Sequence, residues 1–213
     1  MKSLYSKTYP DLISGRYFST VWCTLEENAF PVIHNYLNNI VQNCDWLCTF
    51  GDASLDSKFM PHISLRYLGF TDELDKSVII SNIDVFTIAI KNGINNSKNP
   101  YLELGEVKLW ERLNGSEVVV SRLSWSIKDD AILRSIHSEL LKISGFQLIQ
   151  NLESQNYNPH ISLGQVNLTN NNHEIVTNFL KNNKLEDLKV KISNFAINYA
   201  TPTLREEFQL DIK

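Results

Sequence analysis

The chain has 213 residues, 43% of them hydrophobic and 21% charged, the make-up of a soluble globular protein with material for one large core or two small lobes. Its net charge of −4 excludes broad coating of nucleic acid, which needs clustered Lys and Arg, but leaves room for a local cationic cleft. No apolar run has the length of a secretory signal or a membrane span, and Cys23, Cys44 and Cys48 lack C-x-x-C spacing, so a cytoplasmic protein without a disulfide framework or zinc ribbon is expected.

In chain order, Tyr17 to Leu25 reads as a strand rich in aromatic and β-branched residues. Ala29 to Gln42 reads as a helix, with Ile33, Tyr36, Leu37, Ile40 and Val41 at helical spacing. A polar loop, Cys44 to Met60, leads to a strand beginning near His62, and a helix from about Asp72 to Ile83 follows with Thr71 as N-cap. Val85 to Lys91 and Tyr101 to Arg112 are expected as strands, separated by the turn-rich Asn92 to Pro100.

The second half follows the same plan. Val118 to Ser126 reads as a strand, and Asp129 to Ser144 as a helix with Ile132, Leu133, Ile136, Leu140 and Leu141 on one side, stopped by Gly145. After a loop from Phe146 to Asn158 come a strand at His160, a short helix near His173 to Lys181, and a terminal pair, Leu188 to Tyr199 and Arg205 to Ile212. Each half thus reads strand, helix, His strand, helix, strand, strand. That repetition predicts an α+β fold of one domain in two lobes, about 15–112 and 113–213, related by a pseudo-two-fold. Antiparallel sheets would line a central groove, with helices outside and the two long loops on its rim.

One phrase stands in the same slot of both halves. Pro61-His62-Ile63-Ser64-Leu65 recurs as Pro159-His160-Ile161-Ser162-Leu163, 98 positions later. On a strand, His62 and Ser64 share one face and Ile63 and Leu65 the other; His160 and Ser162 oppose Ile161 and Leu163 in the same way. Two such strands facing each other would gather two imidazoles and two hydroxyls around one small anion. Histidine can both take and give a proton near neutral pH, and serine hydroxyls can donate to the nonbridging oxygens of a phosphate. A metal is not needed, and His plus Ser without a nearby Asp, Glu or Cys is a poor ligand set.

Two H-hydrophobic-[ST]-hydrophobic motifs, one per lobe, resemble the signature of the two-histidine phosphoesterases. The longer string His62-Ile63-Ser64-Leu65-Arg66-Tyr67-Leu68-Gly69 is similar to the branch known as RNA 2′,5′-ligase or RNA 2′,3′-cyclic phosphodiesterase. The resemblance in element order runs from about Tyr17 to the C-terminus. It implies a metal-independent phosphodiesterase without cofactor, with His62 and His160 catalytic and Ser64 and Ser162 binding phosphate. Its substrates would be RNA or oligonucleotide ends, or small cyclic nucleotide phosphates, and its action hydrolysis of a 2′,3′-cyclic phosphate to the 2′-phosphate. Other substrates in the superfamily are 2′,5′-linked oligonucleotides, cyclic nucleotides and RNA 3′ ends. Gly164-Gln165 stands where that branch often has a basic residue.

Arg66, by simple alternation on the face of His62 and Ser64, is a further substrate contact or the partner of a surface carboxylate. Tyr157, three residues before His160, would stack on a base or pack the rim. Tyr67, Trp22 and Trp125 are expected in the core, and His34, His137 and His173 outside the site. A monomer free of the membrane is expected. The rival from another class is a noncatalytic RNA-end binding module. Retention of both His and both Ser speaks against it, as does the missing G-x-x-x-x-G-K-[ST] loop against an ATP-driven ligase.

Overall fold

The computed structural model describes residues 16–41, 46–48, 62–97, 99, 101–114, 117–146, 157–166, 170–184 and 188–212. In chain order the elements are β1 (Phe18–Leu25), a single 3-10 turn (Glu27–Ala29), α1 (Phe30–Val41), β2 (Trp46–Cys48), β3 (His62–Phe70), α2 (Lys76–Ser81) and α3 (Ile83–Asn96). There follow β4 (Tyr101–Asn114), β5 (Glu117–Asp129), α4 (Ala131–Leu141), β6 (His160–Val166), α5 (Asn170–Asn182), β7 (Leu188–Ala200) and β8 (Arg205–Leu210). Of the two loops expected on the rim, all residues but Trp46–Cys48, Phe146, Tyr157 and Asn158 lie outside the described residues. None of the described helices is long and apolar enough to cross a membrane.

All strand pairings are antiparallel, in the order β1-β3-β6-β5-β4-β7-β8, with β2 on β6. A further β1–β7 pairing closes β1, β3, β6, β5, β4 and β7 into a ring. The mixed helix and antiparallel sheet architecture expected from the pattern is therefore present. The repeat is visible in the topology: β3-β1-β7 in one half of the ring matches β6-β5-β4 in the other. The sequence halves exchange strands, since β4 pairs with β5 and β7 pairs with β1. Strand β7 does double service. Its start pairs with β4 through Leu102↔Val190, and the rest lies between β1 and β8.

Alternation along the motif strands buries what the pattern assigned to the core. Ile63, Leu65, Ile161 and Leu163 are all 0% exposed and join one core with Ile33, Phe86, Ile136 and Val176. Each such aliphatic contributes about 1.5–3 kcal/mol by leaving water.

The region after β3 departs from expectation. Thr71 is not an N-cap; its hydroxyl donates to the Ala200 carbonyl at 2.7 Å, tying the end of β3 to β7. The cap is Asp75, whose side chain accepts from the Ser77 N–H at 2.8 Å. Val85 to Lys91 is no strand but the middle of α3. Its β-branched residues suggest extended chain, yet Phe86, Ala89, Ile90 and Gly93 form a buried stripe at helical spacing. That stripe meets α4, and packing outweighs propensity. Gly93 makes the approach possible: a Cβ there would lie 2.5 Å from the Ile136 Cα. The helix expected to run to Ser144 and stop at Gly145 instead ends at Leu141 with Lys142 as its C-cap, and Gly145 takes a positive φ of 89° four residues beyond the helix end.

Candidate active site

Strands β3 and β6 meet antiparallel at Ile63↔Ile161. Carried one residue either way, that register sets His62 across from Ser162 and Ser64 across from His160. A ladder continued in that register would set each imidazole toward the hydroxyl of the other motif, with directly opposed Cβ atoms about 5 Å apart. All four residues are partly exposed, while their strand neighbours are buried. On β1, Trp22 lies opposite Ser64 and Thr24 opposite His62; on β5, Ser126 lies opposite His160 and Ser124 opposite Ser162.

The two imidazoles are held differently. His160 Nδ1 lies 2.9 Å from the Asn158 carbonyl. A carbonyl only accepts, so this nitrogen carries the proton and the neutral ring keeps its lone pair on Nε2. His62 meets the edge of Trp22 at 4.6 Å between centroids and 89° between planes. Trp22, expected in the core, is indeed 3% exposed, but its edge also fixes the ring of a motif histidine.

A second set of side chains supports β3 from behind. A bulge between Val21 and Trp22 in the β1–β3 ladder leaves one extra residue on β3. The Tyr157 hydroxyl donates to the Ser64 carbonyl at 3.1 Å, and His137 Nδ1 donates to the Leu65 carbonyl at 2.6 Å. The two rings stack at 4.0 Å and 7°. Burial holds the Tyr157 phenol protonated well above its ordinary range. Burial also pushes the His137 imidazole below its usual value, against the bond to Leu65, with Arg66 and Arg134 adding to the lowering. Arg134 donates to the Tyr157 carbonyl at 3.1 Å. One network therefore joins β3, α4 and the residues just before His160.

One expectation about substrate contacts is corrected here. Arg66 does not share the face of His62 and Ser64. After the bulge it pairs with Val21, one step out of phase with Trp22↔Ser64, so it points into the core beside Leu65. It is 2% exposed and donates to the carbonyls of Leu140 and Ile143 at the end of α4, the latter at 3.2 Å. So buried, it lies off the face that His62 and Ser64 share. The same shift returns Tyr67 to the face of Thr20, where it is partly exposed and meets Phe18 edge-on at 5.1 Å. Tyr157 has one ring face against His137 and its hydroxyl on Ser64, so it braces the motif strand.

Strand β8 contributes residues that motif reading passed over. Arg205 Cζ stands 6.0 Å from the Trp22 ring centroid, and Arg205 Nε is 3.6 Å from Glu207 Oε1. Burial raises the Glu207 carboxyl above its usual range, with Arg205 opposing the shift. The alternation in Arg205-Glu206-Glu207 is the only sequence signal for this pairing, and nothing local says that the terminal hairpin folds beside His62. His34 lies in α1, while the side chain of His173 lies outside the described residues. Among the described residues no three His, Cys, Asp or Glu gather as a metal site.

Two H-x-S strands placed head to tail in a ring of this topology define a two-histidine phosphoesterase. The chain belongs to the 2′-5′ RNA ligase superfamily, whose family model matches residues 39–199. Among solved structures it is similar to TT0787 of Thermus thermophilus, with a TM-score of 0.52 at 13% identity over 91% of this chain and 97% of that one. Usb1 of Kluyveromyces marxianus gives 0.45 at 11% identity over 92% and 99%, and its structure with uridine monophosphate 0.47 at 12% over 91% and 98%. No curated protein sequence matches.

Proposed function

We propose that the protein is a metal-independent phosphodiesterase that opens 2′,3′-cyclic phosphates at RNA-type ends. Its main support is the register at Ile63↔Ile161, which sets each motif histidine across from the other motif's serine. A cyclic phosphate bridging the two strands would lie between two proton-transfer groups, with hydroxyl donors on either side. One imidazole takes a proton from the attacking water while the other gives one to the departing ribose oxygen. Each such role is worth ~10²–10⁴-fold in rate. Ser64 and Ser162 donate to the nonbridging oxygens, where negative charge must be held as phosphorus becomes five-coordinate. The Asn158 carbonyl favours His160 in either role, since it orients Nε2 in the neutral ring and stabilises the cation.

By family membership the product would be the 2′-phosphate monoester. The enzyme so read works as a monomer in the cytoplasm on RNA or oligonucleotide ends. A panel of nucleoside 2′,3′-cyclic phosphates, 2′,5′-linked dinucleotides, cyclic nucleotides and oligonucleotide 3′ ends, with product identification, tests it. Fastest turnover on the cyclic phosphates is expected. Binding of RNA ends without turnover of any of these would leave a noncatalytic module and overturn the reading.

A further inference from the structure

The period of two along β8 lays Arg205, Glu207 and Gln209 on one face. Register with β7 sets Glu207 opposite Asn198, and β7 in turn sets Asn198 opposite Thr20 and Ala196 opposite Trp22. Trp22 lies opposite Ser64, so Glu207 and Asn198 share the sheet face of the motif residues. Contacts also link the two places: Arg205 is 3.6 Å from Glu207 and 6.0 Å from the Trp22 ring, and Trp22 is 4.6 Å from the His62 ring. Glu207, Arg205, Trp22 and His62 thus form one chain of contacts along that face.

Glu207 pairs with Arg205 by charge, yet one of its oxygens is left without a hydrogen bond. Its side chain is only 8% exposed, and its Oε1 accepts no hydrogen bond from the described residues. Asn198 Oδ1, on the neighbouring strand, is buried without one as well. Arg205 Nε at 3.6 Å supplies charge but lies beyond hydrogen-bond distance. Two buried acceptors lacking donors are costly, and a carboxylate on a face that receives phosphate adds repulsion. Both costs vanish if the ligand itself brings N–H groups to this place.

We infer that Glu207 and Asn198 form a base-reading subsite for an edge with adjacent ring N–H and exocyclic amine, as guanine presents. The inference rests on the proposed function, with the cyclic phosphate between His62 and His160. Guanine offers N1–H and the N2 amine side by side, which suits a carboxylate and an amide oxygen on adjacent strands. Hypoxanthine lacks the amine. Uracil flanks its one N–H with carbonyls that would face the carboxylate unfavourably.

The test compares binding of the 2′-monophosphates of guanosine, inosine and uridine by calorimetry, in wild type and in Glu207→Gln. Wild type should bind the guanosine compound about tenfold tighter than the other two, the scale of one good paired base contact. The variant should bring the three affinities together. Ratios are read within one protein, so a general loss of fold lowers all three and leaves them intact. Equal affinities in wild type overturn the subsite, as does a guanosine preference that survives Glu207→Gln. Guanosine preference in binding, without turnover of any cyclic phosphate, would uphold the subsite and sink the catalytic reading alone. The wild-type comparison of guanosine with inosine needs no variant, and parity there means that these acceptors hold water only.

Discussion

The Tyr157 hydroxyl donates to the Ser64 carbonyl at 3.1 Å, joining the residue three places before one motif histidine to the backbone of the other motif. The same segment supplies the Asn158 carbonyl that orients His160, and Arg134 holds it through the Tyr157 carbonyl. The separation of the two histidines is thus set by side-chain bonds as well as by the single meeting of β3 with β6.

Tyr157→Phe removes that one bond while keeping the stack on His137. Stability should fall by about 1–2 kcal/mol for an unsatisfied buried carbonyl, read as a urea midpoint. With cyclic phosphate as substrate, kcat should drop more than KM rises, because histidine spacing matters most in the transition state. An unchanged kcat would mean that the bond serves the fold alone.

His62→Ala and His160→Ala should each lower turnover by at least ~10²-fold with the circular dichroism spectrum retained. Both residues are partly exposed and fill no core volume. Wild-type rates in either variant would remove that histidine from the mechanism.

Turnover should persist in excess EDTA, since imidazoles and hydroxyls supply the proton transfers and charge stabilisation. Loss in chelator followed by rescue with one divalent ion would assign the reaction to a different chemistry.

Lower pH should weaken the fold through His137. Its pKa is pushed down by burial, so the unfolded chain takes up the proton first. Stability from this group is complete above the unfolded value of about 6.5 and is lost as pH falls from there through the folded value. Urea midpoints measured between pH 7.5 and 5 should show the decline, and His137→Gln should flatten it. An equal slope in the variant would place the proton uptake elsewhere.

Gly93→Ala should destabilise by about 1–3 kcal/mol, the usual cost of overpacking. The added carbon would meet the backbone of Ile136 on α4, the helix that carries His137. A midpoint at or above wild type would show that α3 can shift without loss.

Much of this molecule is legible in one dimension. The repeated His-x-Ser phrase, with aliphatics between, states by a period of two which side chains meet water and which meet the core, and Ile63, Leu65, Ile161 and Leu163 follow it. The order of elements around the phrase likewise points to an α+β fold with antiparallel sheet, because each amphipathic segment must cover its apolar side with a neighbour. Where the pattern misled, the cause was a force from outside the segment. Val85 to Lys91 has strand-like residues, but contact with α4 through Gly93 makes it helix.

The sequence by itself determined the two motifs, their alternation and the order strand, helix, His strand in each half, since all three depend on neighbours in the chain. Tertiary structure alone decided that Arg66 leaves the face of His62 and Ser64, since a one-residue bulge shifts the phase at that point and no local propensity marks the place. It also decided that Tyr157 braces Ser64 and that Glu207 arrives beside Trp22. These residues lie 93 positions from Ser64 in one case and at the far end of the chain in the other, and only closure of the strand ring brings them there.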